Sequence, residues 1–221
     1  MEPSPRALRL AHRGVHETAV ENTVAAMRAA VGRPGIDGVE FDVQASRDRV
    51  PVLLHDETLA RTFDLPGRVE DYDVADLEAI GVPSLAAALE VLPDTMYLDV
   101  ELKSDVGALV APLLEPRLAA GRVVVSSFDA DVLRTIRSIA PRIERWLNAE
   151  ALDGSAIALA SELGCTTVSA RHTTIDRSWR ERAAAGGLAV AAWTATDPAT
   201  VARLDALGCV AICVEGDALG A

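Results

Sequence analysis

Aromatic side chains make up only 4% of this 221-residue chain. Its core must be filled instead by Ala, Val and Leu, the main part of a 50% hydrophobic fraction. That suits Val-rich buried strands lying between Ala-rich helices. Cysteine is also scarce. Cys165, Cys209 and Cys213 are odd in number and lack CxxC spacing, which argues against a disulfide framework or a cysteine zinc site. Buried, reduced thiols in a cytoplasmic protein are the expectation. Positive charge is in deficit, with 21 Lys and Arg against 33 Asp and Glu and a net charge of -12. Such a surface repels nucleic-acid backbones and anionic bilayers, so no nucleic-acid partner and no stable membrane insertion are expected. A cleft can still focus a local field on a small anion. No apolar run approaches the roughly 18 residues of a membrane span. The opening Met1-Glu2-Pro3-Ser4-Pro5-Arg6 has no apolar h-region and no small-residue cleavage pattern, so no secretory leader is expected. Linkers and low-complexity stretches are lacking too, and residues 1–221 read as one domain without a separate insertion domain.

What is present is alternation. Short apolar runs at 8–11, 38–43, 50–54, 96–102, 122–126, 143–147, 166–169, 188–193 and 209–214 read as strands. Segments of helical period at 22–32, 84–91, 105–120, 129–139, 153–163, 176–185 and 197–207 read as helices. Asn22 and Ser84 stand where N-caps belong, and Pro198 follows Asp197 at a first helical position. Gly164, Gly186 and Gly208 stand where helices should stop. The expected class is α/β, a parallel barrel. One irregularity is expected near strand 2, where 38–55 reads as two strands joined by a short turn at Ser46-Arg47-Asp48. Residues 57–83 read as loop.

Polar residues recur where the apolar runs end: His12-Arg13-Gly14, Glu40 and Asp42, His55-Asp56, Glu101 and Lys103. A parallel barrel builds its active site from such C-terminal strand ends. Glu40 and Asp42 stand at i and i+2, so both point to one face of a strand. Two carboxylates facing the helix layer would be very costly, whereas at the barrel mouth they can share a cation. Glu101 offers a third oxygen donor, and an all-carboxylate set suits one hard divalent cation, Mg²⁺ or Ca²⁺, rather than zinc. The alternative reading of these acids is solvated strand ends or salt-bridge partners. His12 and His55 can exchange protons near neutral pH. Asp56 can orient a neighbour or cap the next turn. Gly14 permits a close backbone approach or an unusual φ. Arg13 can fork onto a phosphate and Lys103 can supply a point charge, stabilising a phosphodiester and its transition state. A salt bridge from Lys103 to Glu40 or Glu101 is the plainer reading and is compatible with that role. Trp193 could floor a pocket or simply pack. His172 reads as loop structure, and Arg134, Arg137 and Arg142 read as solvated.

The ordered set Ala11-His12-Arg13-Gly14, Glu21-Asn22-Thr23, Val39-Glu40-Phe41-Asp42-Val43, His55-Asp56 with Leu59-Ala60-Arg61-Thr62, Val82-Pro83-Ser84-Leu85, Val100-Glu101-Leu102-Lys103, Ser126-Ser127-Phe128 and Ala192-Trp193-Thr194 resembles the glycerophosphodiester phosphodiesterases. The resemblance runs from residue 11 to about 213. It implies a (β/α)₈ TIM barrel with its active site at the C-terminal strand ends. It also implies a metal held by Glu40, Asp42 and Glu101, an acid/base pair of His12 and His55, and phosphate contacts from Arg13 and Lys103. Glu21 and Asn22 would support His12 and Arg13, and Phe128 and Trp193 would lie near the substrate's glycerol. The implied reaction releases glycerol 3-phosphate and an alcohol from a small glycerophosphodiester. The sequence leaves open which histidine is the acid, whether water or the glycerol hydroxyl attacks, and the oligomeric state. Two alternatives are a lysophospholipase D-like activity on single-chain lipids and a non-catalytic barrel that binds a phosphate metabolite. The chain departs from the family pattern at Val20, Thr196, Ala86-Ala87-Ala88 and Val214-Glu215-Gly216-Asp217. These positions bear on the choice of substrate and on barrel closure.

Overall fold

The computed structural model describes residues 6–221. Residues 1–5, expected to carry no leader, lie outside the described residues. The strands are β1 (Leu8–His12), β2 (Gly38–Ala45), β3 (Pro51–Leu53), β4 (Tyr97–Leu102), β5 (Val123–Ser127), β6 (Glu144–Ala149), β7 (Thr167–Arg171), β8 (Ala189–Ala195) and β9 (Ala211–Val214). All except β3 pair in parallel, in the order β1-β2-β4-β5-β6-β7-β8-β9, and β9 returns to β1. Eight strands thus close into a (β/α)₈ barrel that leaves no free edge. The expected irregularity is β3, which folds back antiparallel on β2 with Val43 opposite Leu53. Among the described residues, no helix is long and apolar enough to cross a membrane.

The outward strand faces and the helices share one core of Val, Leu and Ala, with Phe41 and Met27 among its largest members. The barrel interior changes character along its length. Leu10, Val124, Trp146, Ala191, Ala211 and Cys213 form a separate apolar cluster inside it, with Trp146 stacked on Tyr97 at a centroid distance of 6.0 Å. Side chains two residues further along a strand share its face. Leu10 therefore gives way to His12, Val124 to Ser126, Trp146 to Asn148 and Ala191 to Trp193. The interior turns polar toward the C-terminal strand ends. Gly38 makes room for this packing, since a Cβ there would sit 2.1 Å from the Tyr97 carbonyl oxygen.

Three expectations are corrected. Residues 57–83 are not loop alone. Short helices at Ala60–Phe63 and Val74–Ala79 and a 3₁₀ turn at Val69–Asp71 enclose a small core of Val52, Leu54, Leu59, Val69, Leu77 and Val82. Elements this short give no periodic signal. The helix read at 105–120 is α-helical over Gly107–Leu114 and 3₁₀ over Glu115–Ala120, the change falling where Pro112 and Pro116 remove backbone donors. Thr23, not Asn22, caps the first helix, accepting a hydrogen bond from the Ala26 N–H. Asn22 sits just before it in the left-handed region at φ 56°. The other expected caps form at Ser84 and Asp197, and Gly164 and Gly208 end their helices in the left-handed region. All three cysteines are buried and free.

Candidate active site

Strand register decides which polar ends meet. His12 pairs with Glu40 across β1 and β2, and Asp42 pairs with Glu101 across β2 and β4. Each of Glu40, Asp42 and Glu101 offers an oxygen, and these three oxygens lie within 4.8 Å of one another. All three side chains are buried. Burial pushes Glu40 well above the usual carboxylate range, and the charges of Asp42, Glu101 and Asp99 push it further. Burial and the Asp42 charge bring Glu101 to about 7. Burial also works against Asp42, but Lys103 and Arg13 hold it below its ordinary value.

Two cations face this triad. Lys103 Nζ donates to Glu101 Oε1 at 2.5 Å and lies 3.0 Å from Asp42 Oδ1. Its expected partnership with Glu101 is therefore present, and the second partner is Asp42 rather than Glu40. Lys103 is also the chain's only lysine. Arg13 Nε lies 3.3 Å from Asp42 Oδ2 while Nη1 donates to Glu21 at 2.8 Å. The Arg13 backbone is left-handed at φ 56°, an uncommon state for a side-chain-bearing residue. In it the Arg13 N–H donates to Glu40 Oε2 at 3.1 Å. The next residue must be small. Gly14 has φ 78°, and a Cβ would meet the Ala26 backbone at 2.8 Å.

Glu21 and Asn22 support the site, though not as a pair behind His12. Glu21 links Arg13 to Arg61, accepting from both. Asn22 Nδ2 donates to Asp42 Oδ2 at 2.8 Å and its Oδ1 accepts from the Asp42 N–H. Its left-handed backbone turns the side chain toward β2 instead of the helix.

Each histidine rests against a carboxylate through Nδ1. His12 Nδ1 lies 2.8 Å from Glu215 Oε2, and His55 Nδ1 lies 2.6 Å from Asp56 Oδ1. The His12 hydrogen bond is the main influence holding Glu215 below its ordinary value. Asp56 is held down to about 2, chiefly by Arg61 and then by His55. Ionised carboxylates only accept, so Nδ1 of each ring carries a proton, and each Nε2 is an acceptor in the neutral ring and a donor in the protonated one. His12 Nε2 lies 3.9 Å from Glu40 Oε2. Burial lowers the His55 imidazole below its ordinary value. Asp56 therefore contacts His55 through one oxygen and accepts from Arg61 Nε at 2.6 Å through the other.

Several of these groups line one cavity of about 250 Å³ at the barrel mouth. His12, Arg13, Glu40, His55, Glu101 and Lys103 line it together with Phe128 and Trp193, Lys103 Nζ lying 5.9 Å from the centre of the Phe128 ring. The two aromatic rings meet edge to face at 5.7 Å. Trp193 Nε1 donates to the Ser169 carbonyl, which fixes the indole. Arg171 lies over that ring at 4.7 Å and is paired with Glu150. His172 is outside the cavity, its backbone carbonyl accepting from Arg203. Arg134 and Arg142 form exposed surface ion pairs, and Arg137 donates to the exposed Glu162 carbonyl.

Sequence reasoning missed several members. Glu215 stood out only as a departure from the usual strand ending, and its partnership with His12 depends on barrel closure. Asp99, Asn148 and Ser169 also line the cavity. Asp99 could have been found by stepping back two residues from Glu101. Asn148 and Ser169 had no charge or motif to draw attention.

A model of the Glycerophosphoryl diester phosphodiesterase family matches residues 12–216. A glycerophosphodiester phosphodiesterase of Caldanaerobacter subterraneus is 31% identical over 161 residues, spanning 63% of this chain and 65% of its own length. A putative glycerophosphodiester phosphodiesterase of Bacillus subtilis is 29% identical over 221 residues, spanning 90% of each chain. Among solved structures, an Oleispira antarctica phosphodiesterase in complex with the product sn-glycerol-3-phosphate superposes with a TM-score of 0.84 at 26% identity, over 95% of this chain and 93% of its own.

Proposed function

This chain belongs to the glycerophosphoryl diester phosphodiesterase family, and from that premise we propose that it hydrolyses small glycerophosphodiesters to glycerol 3-phosphate and an alcohol. The observation that carries the reading is a buried three-carboxylate cluster, two members of which, Glu40 and Glu101, line one cavity together with the two imidazoles. The reaction is a cytoplasmic one in this reading, and residues 1–221 work as a single domain.

The donor set fits a hard divalent cation. Glu40 Oε1 is buried without a hydrogen-bond partner, and three carboxylates that raise one another's cost of ionisation are relieved by a dication. Glu40, Asp42 and Glu101 would hold Mg²⁺ or Ca²⁺. When bound, the ion would neutralise charge on the phosphodiester and its transition state.

The protein's own groups account for the rest. Arg13 and Lys103 grip the phosphate oxygens and answer the charge that grows on them. His12 Nε2 takes the proton from the attacking oxygen, of water or of the glycerol hydroxyl beside the phosphate. Protonated His55 gives its Nε2 proton to the departing alcohol as the P–O bond breaks. Burial lowers His55, which makes its protonated form a stronger acid. If the glycerol hydroxyl attacks, a cyclic phosphate forms and water opens it in a second pass with the roles reversed. Glu215 and Asp56 hold the two rings in the required tautomer, as orienting carboxylates do in other hydrolases. Phe128 and Trp193 wall the substrate.

The deciding experiment is release of glycerol 3-phosphate from glycerophosphocholine with Mg²⁺, with Ca²⁺ and with EDTA, alongside His12→Ala. Cation-dependent release that disappears in the variant is expected. No release from glycerophosphocholine, other glycerophosphodiesters or lysolipids with either cation would overturn the reading in favour of a phosphate-binding barrel.

A further inference from the structure

His55 and Asp56 follow β3, and their main chain is fixed from β2, where the buried Gln44 amide donates to the Leu54 and Asp56 carbonyls at 2.8 and 2.6 Å. Their side chains are held from elsewhere. Asp56 Oδ1 accepts from His55 Nδ1 and Oδ2 accepts from Arg61 Nε, both at 2.6 Å. The same guanidinium turns its other edge to Glu21, Nη2 donating to Oε1 at 2.6 Å and Nη1 to Oε2 at 3.1 Å. Glu21 Oε1 also accepts from Arg13 Nη1 at 2.8 Å. Among the described residues, no other side chain hydrogen-bonds to Glu21 or Asp56. Charges alternate along the path Arg13, Glu21, Arg61, Asp56, which ends on His55. An exposed ion pair taken singly holds little, and Arg61 is about half exposed. A planar guanidinium forked across two carboxylates fixes a geometry that a single pair does not. Arg61 is carried by the short helix Ala60–Phe63, and Leu59 and Phe63 on either side of it pack in the small separate core.

We infer that Arg61 is a positioning residue whose guanidinium ties the phosphate-gripping Arg13 to the proton-donating His55, through Glu21 and Asp56, so that grip and acid are set together. This rests on the reading of the cavity as a phosphodiesterase site with His55 as the acid. Arg61 does not line the cavity, so it acts through groups that do. Its two edges have separate effects. At Glu21, one carboxylate is divided between two guanidiniums. Burial opposes the Glu21 charge, and the Arg61 hydrogen bond is the strongest influence keeping that carboxyl below its ordinary value. Without Arg61, the whole Glu21 charge falls on Arg13 and draws its fork from the phosphate. At Asp56, the Arg61 hydrogen bond is the main influence holding the carboxyl down to about 2. Asp56 thus stays an acceptor, with one oxygen pinned by Arg61 and the other set on His55 Nδ1. Without Arg61, the carboxylate turns about its own torsions and the imidazole loses its stop. The segment between β3 and β4 in this way reaches two catalytic groups from outside the cavity.

The test compares glycerophosphocholine with the 4-nitrophenyl ester of glycerol 3-phosphate in wild type, Arg61→Ala, Arg61→Lys and His55→Ala. The two diesters share the glyceryl arm and the phosphate, but 4-nitrophenolate departs without a proton and the choline alkoxide does not. Melting temperatures establish that each variant is folded, and Arg61→Lys, which keeps the charge, serves if Arg61→Ala is not. Arg61→Ala is expected to lose about 10- to 100-fold in kcat on glycerophosphocholine, part of what a general acid supplies, and to stay within about threefold in kcat on the 4-nitrophenyl ester. KM should rise on both diesters by about 3- to 10-fold as the phosphate fork is misplaced. Arg61→Lys reaches one carboxylate at a time and should recover only part of either loss. Equal kcat losses on both diesters, an unchanged KM, or wild-type constants in Arg61→Lys would overturn the inference. His55→Ala separates this from the reading beneath it. It should lose far more on glycerophosphocholine than on the 4-nitrophenyl ester, and equal losses there would overturn His55 as the acid. Wild type inert toward both diesters would overturn the phosphodiesterase reading, and the inference with it.

Discussion

Replacing Glu215 with Gln or Ala tests whether the last strand of the barrel serves the chemistry at the first. Glu215 Oε2 accepts from His12 Nδ1 at 2.8 Å, and among the described residues Glu215 shares no hydrogen bond or ion pair with Arg13 or Lys103, Arg13 acting on it only through its charge. Hydrogen bonds to a charged group contribute about 1.5–3 kcal/mol. The Glu215 side chain keeps 32% of its surface in water, which places the expectation in the lower part of that range, at about 2 kcal/mol, or roughly 30-fold in rate. The loss should fall on kcat, because an unoriented or wrongly protonated imidazole still leaves the phosphate grip intact. Gln can also turn its amide donor toward Nδ1 and push the proton onto Nε2, the atom that must accept. Gln is therefore expected to do no better than Ala, despite its closer shape. Steady-state release of glycerol 3-phosphate, with melting curves for each variant, reads this out. A folded Glu215→Gln enzyme with kcat within twofold of wild type, or with the whole effect in KM, would refute the reasoning.

Three further outcomes follow from the geometry. Glu40 is buried among like charges that raise its cost of ionisation, so Glu40→Gln should raise the melting temperature of cation-free protein while abolishing the increase that Mg²⁺ or Ca²⁺ gives the wild type; a variant that still responds to the cation would contradict the carboxylate cluster as the binding site. Gly38→Ala should destabilise by at least ~1–3 kcal/mol, because the new methyl meets the Tyr97 backbone, which cannot swing aside as a side chain can, and a denaturant midpoint unchanged from wild type would show that β2 and β4 can separate locally. Asp56 is held down to about 2 by Arg61 and His55, below its ordinary unfolded value, so its contribution of ~1 kcal/mol is complete above that ordinary value and is lost as pH falls through about 2; the stability gap between wild type and Arg61→Ala should narrow over that acid range, and a gap constant from neutral to acid pH would count against the Asp56–Arg61 pair.

What the sequence determined by itself is the alternation of elements and the identity of most polar groups at the mouth. Both rest on local rules. Period 2 puts Glu40 with Asp42 and Glu101 with Lys103 on common strand faces, and capping chemistry at Ser84, Asp197, Gly164 and Gly208 sets helix ends within a residue or two. Even the antiparallel β3 was legible, because so short a turn cannot carry a parallel crossover. The short helices of 57–83 were not, since fewer than two turns leave no periodic trace. Long-range pairing was beyond local rules. Barrel closure alone brings Glu215 on the final connection to His12 on the first strand, more than 200 residues apart in a separation of 203. Register alone sets Asn148 beside Ser169, and both line the cavity that holds the histidines and cations. Asn22 shows the same limit at short range, where its residue type suggested a helix cap and a left-handed backbone sent it to Asp42 instead. Local sequence fixes which face a side chain takes, while the partner on that face is chosen by strands distant along the chain, through the geometry of a closed sheet.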